Sequence, residues 1–552
     1  MKKRLRVLLF ALSLGVLALV LAVRLGQKGT TFLGARLADA EQLAALQAGP
    51  QVSGEDCILH WNGAVLPYDS AQGAYCVPQP AGGETRGNLS SSWGDIYLPA
   101  EHWGGDMTAA MREGTLLPVY VSDGSRWCEL FAYVSGMPAL VVRTQESVPY
   151  RLDPNIVSGT MAKLELAYNY SDYTLFWPEG NARGQLTKGS LEWHWRGNTS
   201  LLANKKTYRL NLLDLKKKPK REDLLGLGDD ADWILMNFAT DCTRARDKVT
   251  WQVWQQLVQQ TEYNPAGLRV EYVELYLDDQ YMGVYGLCRP ISRDSLGLSA
   301  RDTLYKWRTM PMDRRMPTTA DFEQLEADES LAWGMWLEVA WPKSWSEGLW
   351  RPMQQYVEQF YTPAQPPEWQ RLEETTNLAN LIDVALFKQY ICAMDNFCYN
   401  QYFWVNSADG LYYRIPWDLD YSLGDRYDEF YELDLTKTVI PDMELDALYE
   451  ADPARAQSLI AGRWAELRQT VFTVENMAAI LQEATNALES TGAMRRDFAL
   501  WGKDATYPNA PHFRTLEVNE TLELLEDRLA YLDEYMANYT PPDRSAFNVL
   551  PQ

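Results

Sequence analysis

The chain has 552 residues, enough for several domains, and 46% of them are apolar, with 21 Trp and 31 Tyr to build cores. Its formal charge of −23 gives an acidic surface that repels nucleic acid, so DNA and RNA are discounted as partners. The four histidines, none within ligand spacing of another, argue against a His-rich zinc site, and no G-x-S-x-G elbow accompanies any serine.

The N terminus reads MKKRLR, and residues 7–23 then run with Ser13 as the only polar side chain before Arg24. Such a run behind a basic cluster predicts a single membrane-spanning helix with the body outside the cytoplasm. The alternative is a cleaved signal peptide and a secreted body, but AVRLGQKG is a poor cleavage site. Residues 1–28 are thus expected to be an anchor or signal segment.

Residues 29–150 read as a small accessory β domain, with short apolar stretches such as LPVYVSDG and CELFAYVSG between Gly, Asp and Ser turns. Cys57 and Cys76 would bridge in an oxidising compartment, and the other five cysteines read as small buried hydrophobes. From residue 151 to 291, MAKLELAY, LEWHWRG, KKTYRLNLL and DWILMNFA read as strands, and DKVTWQVWQQLVQQ as a helix. VEYVELYLDDQYMGVYGL reads as a hairpin, and the basic run at 216–221 as a solvated loop. Residues 292–540 read as mainly helical: LANLIDVALFKQYICAMD, then a hairpin in YNQYFWVNSADGLYYRIP, then three amphipathic helices. Residues 541–552 form a tail.

Two acidic clusters stand where apolar structure gives way to loop. One is Asp395 to Asn400 after the long helix, the other Trp417-Asp418-Leu419-Asp420 after the hairpin. Phosphoryl transfer needs such a set: hard oxygen ligands for magnesium, and one more carboxylate to orient the acceptor hydroxyl. Asp395 and Asn400 have the D-x-x-x-x-N spacing of a kinase catalytic loop, and Asp418 stands where the Asp of D-F-G would.

Together with Arg196-Gly197-Asn198-Thr199-Ser200, Lys205-Lys206-Thr207-Tyr208-Arg209-Leu210, Asp232-Trp233-Ile234-Leu235 and Gly283-Val284-Tyr285, these motifs resemble the CotH kinases over about residues 155–540. The resemblance implies an α+β fold: an atypical two-lobed protein-kinase-like domain, here preceded by the small β-rich domain and the N-terminal transmembrane helix. It implies transfer of phosphate from ATP, with Mg or Mn, to Ser or Thr of surface or spore-coat proteins. Carried over by residue, Asp395 is the catalytic aspartate. Lys206, Arg196 and Asn198 face the nucleotide. Asn400, Asp418 and Asp420 serve the metal. By alternation Lys205 is expected to face away from Lys206. Two positions depart from the pattern: Arg289 stands where the family often has an acid, and helix 246–260 holds no glutamate to pair with Lys206. The competing reading is a non-catalytic structural or assembly protein that keeps the fold. A third is carbohydrate binding by the aromatic-rich β region.

Overall fold

The structure is a computed structural model. It describes residues 32–543 apart from 80–86, 151–165, 182–183, 198–199, 201–202, 240, 309–315, 329–336, 363–366, 398, 426–432 and 503–517. The apolar run at 7–23 and Asn198 lie outside the described residues. Among those described, no helix is long and apolar enough to cross a membrane. The fold is mixed α+β, with fourteen helices among the described residues.

The N-terminal region is built on a six-stranded sheet in the order Ala35–Ala38, Asp95–Pro99, Leu117–Ser122, Trp127–Ser135, Ala74–Pro78, Tyr68–Asp69. Cys57, Cys76 and Cys128 are free thiols in its core.

A closed seven-stranded barrel follows. Its strands are β1 (Ala139–Tyr150), β2 (Leu166–Asn181), β3 (Gly184–Arg196), β4 (Thr207–Leu213), β5 (Asp232–Met236), β6 (Val270–Leu277) and β7 (Gln280–Cys288). The first of these falls within residues 29–150. Neighbours run β1-β2-β3-β4-β5-β7-β6, and β1 closes the ring by pairing in parallel with β6. Alternation along each strand sets the interior. Leu191 and Trp193, Tyr208 and Leu210, Val273 and Leu275, and Tyr285 and Leu287 fill it. The outer face is shared. Ala139, Val141, Phe176 and Tyr276 pack on the N-terminal sheet, while Ile234, Tyr272 and Val284 pack on the helical part. The β6–β7 turn is two residues, Asp278 and Asp279, both left-handed at φ 49° and 59°. That is the twist a tight hairpin needs, and Asp adopts it more readily than most residues.

Between β5 and β6 lies helix α1 (Arg246–Gln259), which buries Val249, Val253, Trp254 and Leu257 at helical spacing. Beyond the barrel, β8 (Thr303–Trp307) and β9 (Leu337–Trp341) join the expected hairpin, β10 (Gln401–Val405) and β11 (Tyr412–Pro416). The result is a four-stranded sheet in the order β9-β8-β10-β11. The region read as mainly helical thus contains a sheet. Periodicity hid it because β8 and β9 are short and separated by 29 residues.

The helical part comprises α2 (Arg351–Phe360), α3 (Leu378–Ile391), α4 (Met443–Ala451), α5 (Pro453–Leu467), α6 (Val474–Ser490), α7 (Ala493–Trp501) and α8 (Val518–Ala537). Twelve of the fourteen residues of α3 are buried, so it is the central helix of the largest core.

Candidate active site

Two loops meet at the ends of α3 and β11. Helix α3 stops because Cys392 turns left-handed at φ 54°, with its N–H on the Gln389 carbonyl. Asn400, just before β10, is also left-handed at φ 54°. Asp395 is 5% exposed and Asn400 4% exposed. The Asp395 carboxylate accepts hydrogen bonds from Asn400 Nδ2 at 2.7 Å and Tyr399 Oη at 2.8 Å.

Asn396 fastens this loop to the next. Its Nδ2 donates to the Asn400 carbonyl at 3.0 Å and to the Trp417 carbonyl at 2.7 Å. Trp417 N–H donates to the Asn400 carbonyl, Met394 N–H to the Tyr421 carbonyl and Leu423 N–H to the Ile391 carbonyl. The Lys388 ammonium holds the Asn396 carbonyl at 2.9 Å. Asp395 and Asp418 are therefore presented by two loops bonded to each other.

Asp418 has φ 60°, the left-handed region that Asp enters more readily than most residues but that is still uncommon, and such positions concentrate at functional sites. Its side chain is exposed, yet protein crowds it at longer range. Burial raises its pKa, while Lys306 and Arg196 pull it back down. Lys306, on β8, lies 4.5 Å from the Trp417 ring centroid and 5.3 Å from that of Tyr402. Burial and the neighbouring Arg196 bring the Lys306 pKa down to about 7, against the pull of Glu338 and Asp418. Arg196 stands at the end of β3 on the outer face of the barrel, so it links the barrel to Asp418. Asp420 is partly buried, and its Oδ1 accepts the Tyr421 N–H.

A second carboxylate faces Asp418 from α1. Asp247 is 6% exposed, and its Oδ1 has no hydrogen-bond partner among the described residues. Its pKa is pushed up to about 8, first by burial, then by the charges of Asp418 and Asp241, while the Leu419 N–H acts in the opposite direction. The start of α1 is fixed from both sides. Asp241 Oδ2 accepts the N–H groups of Ala245 and Arg246 at 2.8 Å, and Arg246 Nε donates to the Ser422 carbonyl at 3.1 Å.

The two lysines of the KKTYRL motif are separated differently. Strand β4 begins at Thr207, so both precede it and strand alternation does not set their directions. Lys205 is buried, with Nζ 2.5 Å from Asp497 Oδ1 and 2.7 Å from the Val284 carbonyl. The Lys206 ammonium lies over the Trp195 ring, 5.2 Å from its centroid, and is partly exposed. Arg289 pairs with Asp230 at 3.0 Å and anchors the end of β7.

The structure thus brings together Asp395 and Asn400, and places Arg196 beside Asp418. Sequence reasoning passed over Lys306 and Asp247. Lys306 sits in a short strand with no motif around it. Asp247 lies in the helix that holds no glutamate, and an acid in its first turn is the available signal.

This arrangement, with a barrel before it and a helical domain around it, defines a protein-kinase-like class. The CotH kinase protein family matches residues 194–538, more than half of the chain, and the chain belongs to that family. No curated protein matches it.

Proposed function

We propose that the chain transfers the terminal phosphate of ATP to a Ser or Thr hydroxyl of a protein. The observation that carries this reading is the bonded pair of loops, which holds the Asp395–Asn400 pair beside Asp418. In this reading the barrel is the N-terminal lobe and the helical part the C-terminal lobe. Asp395 orients the acceptor hydroxyl and takes up its proton, with Tyr399 and Asn400 fixing its rotamer. Lys306, Arg196 and Lys206 supply positive charge for the nucleotide phosphates, with Asn198 in the same motif.

The donor types suit a hard divalent cation: Asp418, Asn400 and Asp420 carry oxygens, and Asp247, near Asp418, has one oxygen with no hydrogen-bond partner among the described residues. Bound there, Mg or Mn would offset charge on the phosphate oxygens. Asp418→Ala is expected to abolish Mg–ATP binding and phosphate incorporation together. Asp395→Asn is expected to bind Mg–ATP nearly as wild type but to transfer phosphate on the order of a hundredfold more slowly. Calorimetric titration and incorporation into a Ser-rich acceptor read the two. Wild-type protein that binds no nucleotide with Mg or Mn would leave the structural, non-catalytic reading in its place.

A further inference from the structure

Asp247 has no counterpart in the motif set that points to phosphoryl transfer. An acid in the first turn of a helix is ordinarily a solvated partner of the helix dipole. This one is not solvated. It is 94% buried by exposure of 6%, and one carboxylate oxygen lacks any partner among the described residues. Its neighbours are the carboxylates of Asp418 and Asp241. Asp241 is already satisfied by four donors: the N–H groups of Thr243, Ala245 and Arg246, and the Thr243 hydroxyl. It also pairs with the Arg246 guanidinium. Asp418 is relieved by Lys306 and Arg196. Asp247 alone is left with like charge around it and a single N–H, that of Leu419, turned toward it.

Flexibility does not account for the position. Arg246, one residue earlier, is locked to the Ser422 carbonyl and to Asp241, so the helix start is clamped onto the 418–423 segment. A buried, immobilised carboxyl group whose Oδ1 has no hydrogen-bond partner among the described residues gains a partner where a cation sits beside it. Among the described residues no group of three His, Cys, Asp or Glu is arranged to hold a metal. A magnesium-type ion needs fewer: one or two carboxylates, with water and phosphate oxygens filling the remaining positions.

We infer that Asp247, at the start of α1, is a ligand of the divalent cation together with Asp418, so that the ion clasps α1 to the segment after β11. The inference rests on the phosphoryl-transfer reading for the presence of the cation, and adds to it a ligand from a separate element.

The test is Mn²⁺ binding to the full chain, with and without ADP, followed by the electron paramagnetic resonance of free Mn²⁺ and by thermal melting. Asp247→Asn is expected to weaken Mn²⁺ binding at least tenfold. Without metal its melting midpoint should stay close to that of wild type, because burial and the neighbouring acids already push the carboxyl toward its neutral form, which the amide matches in shape. Asp247→Glu, which keeps the charge, should retain more affinity than the amide. A purely structural aspartate predicts the reverse pattern: a lower midpoint and unchanged Mn²⁺ affinity. That pattern, with Asp418→Asn losing Mn²⁺, would overturn the inference and leave the kinase reading standing. Absence of Mn²⁺ binding by wild type, with or without nucleotide, would remove both.

Discussion

Lys205 and Lys206 are adjacent in the chain and differ in what their charge is for. The Lys205 ammonium is buried against Asp497, which Arg244 also meets at 2.8 Å, and it lies 5.0 Å from the Tyr285 ring centroid. Burial lowers the Lys205 pKa to about 8, with Asp497 opposing the shift. Removing one partner of such a pair strands the other, at a typical cost of about 3–5 kcal/mol. Lys205→Ala is therefore expected to lower the melting midpoint clearly. Lys206→Ala should leave the midpoint near wild type and weaken ATP binding, as read by melting and calorimetry on the same two proteins. Equal loss of nucleotide affinity in both would show that Lys205 reaches the ligand as well.

At the scale of elements, Asp442 joins three. It caps α4 by accepting the Leu445 N–H at 3.0 Å, it pairs bidentately with Arg414 of β11 at 3.0 Å, and it meets Lys388 of α3. Burial opposes its ionisation, but Arg414 and Lys388 win and hold its pKa well below the ordinary value of 3.8. A carboxylate whose folded pKa lies below its unfolded pKa stabilises the fold above the unfolded value, and that stability is lost as the pH falls below about 4. Asp442→Asn keeps a capping oxygen but leaves two buried cations with less compensation. It is expected to cost several kcal/mol near neutrality, on the order of 3–5. Its melting midpoint should fall less steeply below pH 4 than that of wild type. Urea melts at pH 3 and pH 7 would measure both.

The same elements show what a sequence yields. Helix α3 was legible because LANLIDVALFKQYI is dense in apolar residues, but its end was not: the run reads as helix to about Asp395, whereas the left-handed Cys392 stops it at Ile391. The β10–β11 hairpin was legible from two aromatic-rich runs on either side of the turn Asn406–Gly410. The D-x-x-x-x-N pair was legible because its spacing is local. Lys306 and Asp247 were not, because each acquires its meaning from a residue more than 100 positions away. Helix α7 escaped for a related reason: its buried polar residues, Arg496 and Asp497, interrupt the apolar stripe, and their ionic partners Glu274, Lys205 and Arg244 lie more than 200 positions away.

Across the whole molecule, the N-terminal region is not a detachable module. Glu274 of β6 accepts from Arg496 Nε at 2.8 Å, from Ser135 Oγ at 2.6 Å and from Tyr281 Oη at 2.8 Å. One buried carboxylate thus ties the N-terminal sheet, the barrel and α7. The family match begins at residue 194, near the end of β3. A fragment cut to residues 194–538 would lack β1, β2 and most of β3, and would expose the unpaired edges of β4 and β6. It is expected to be insoluble on expression, whereas residues 32–543 should give a soluble protein with one cooperative melt.

The clamp formed by α7 also sets an order of events during synthesis. Arg496 lies 222 positions after Glu274, and Asp497 lies 292 positions after Lys205. At typical translation rates, the stretch between Glu274 and Arg496 takes on the order of ten to forty seconds to make. Throughout that interval the nascent barrel carries an acid and a base whose ionic partners on α7 do not yet exist. The strands can close the ring earlier, but these two charges gain their ionic partners only when α7 leaves the ribosome.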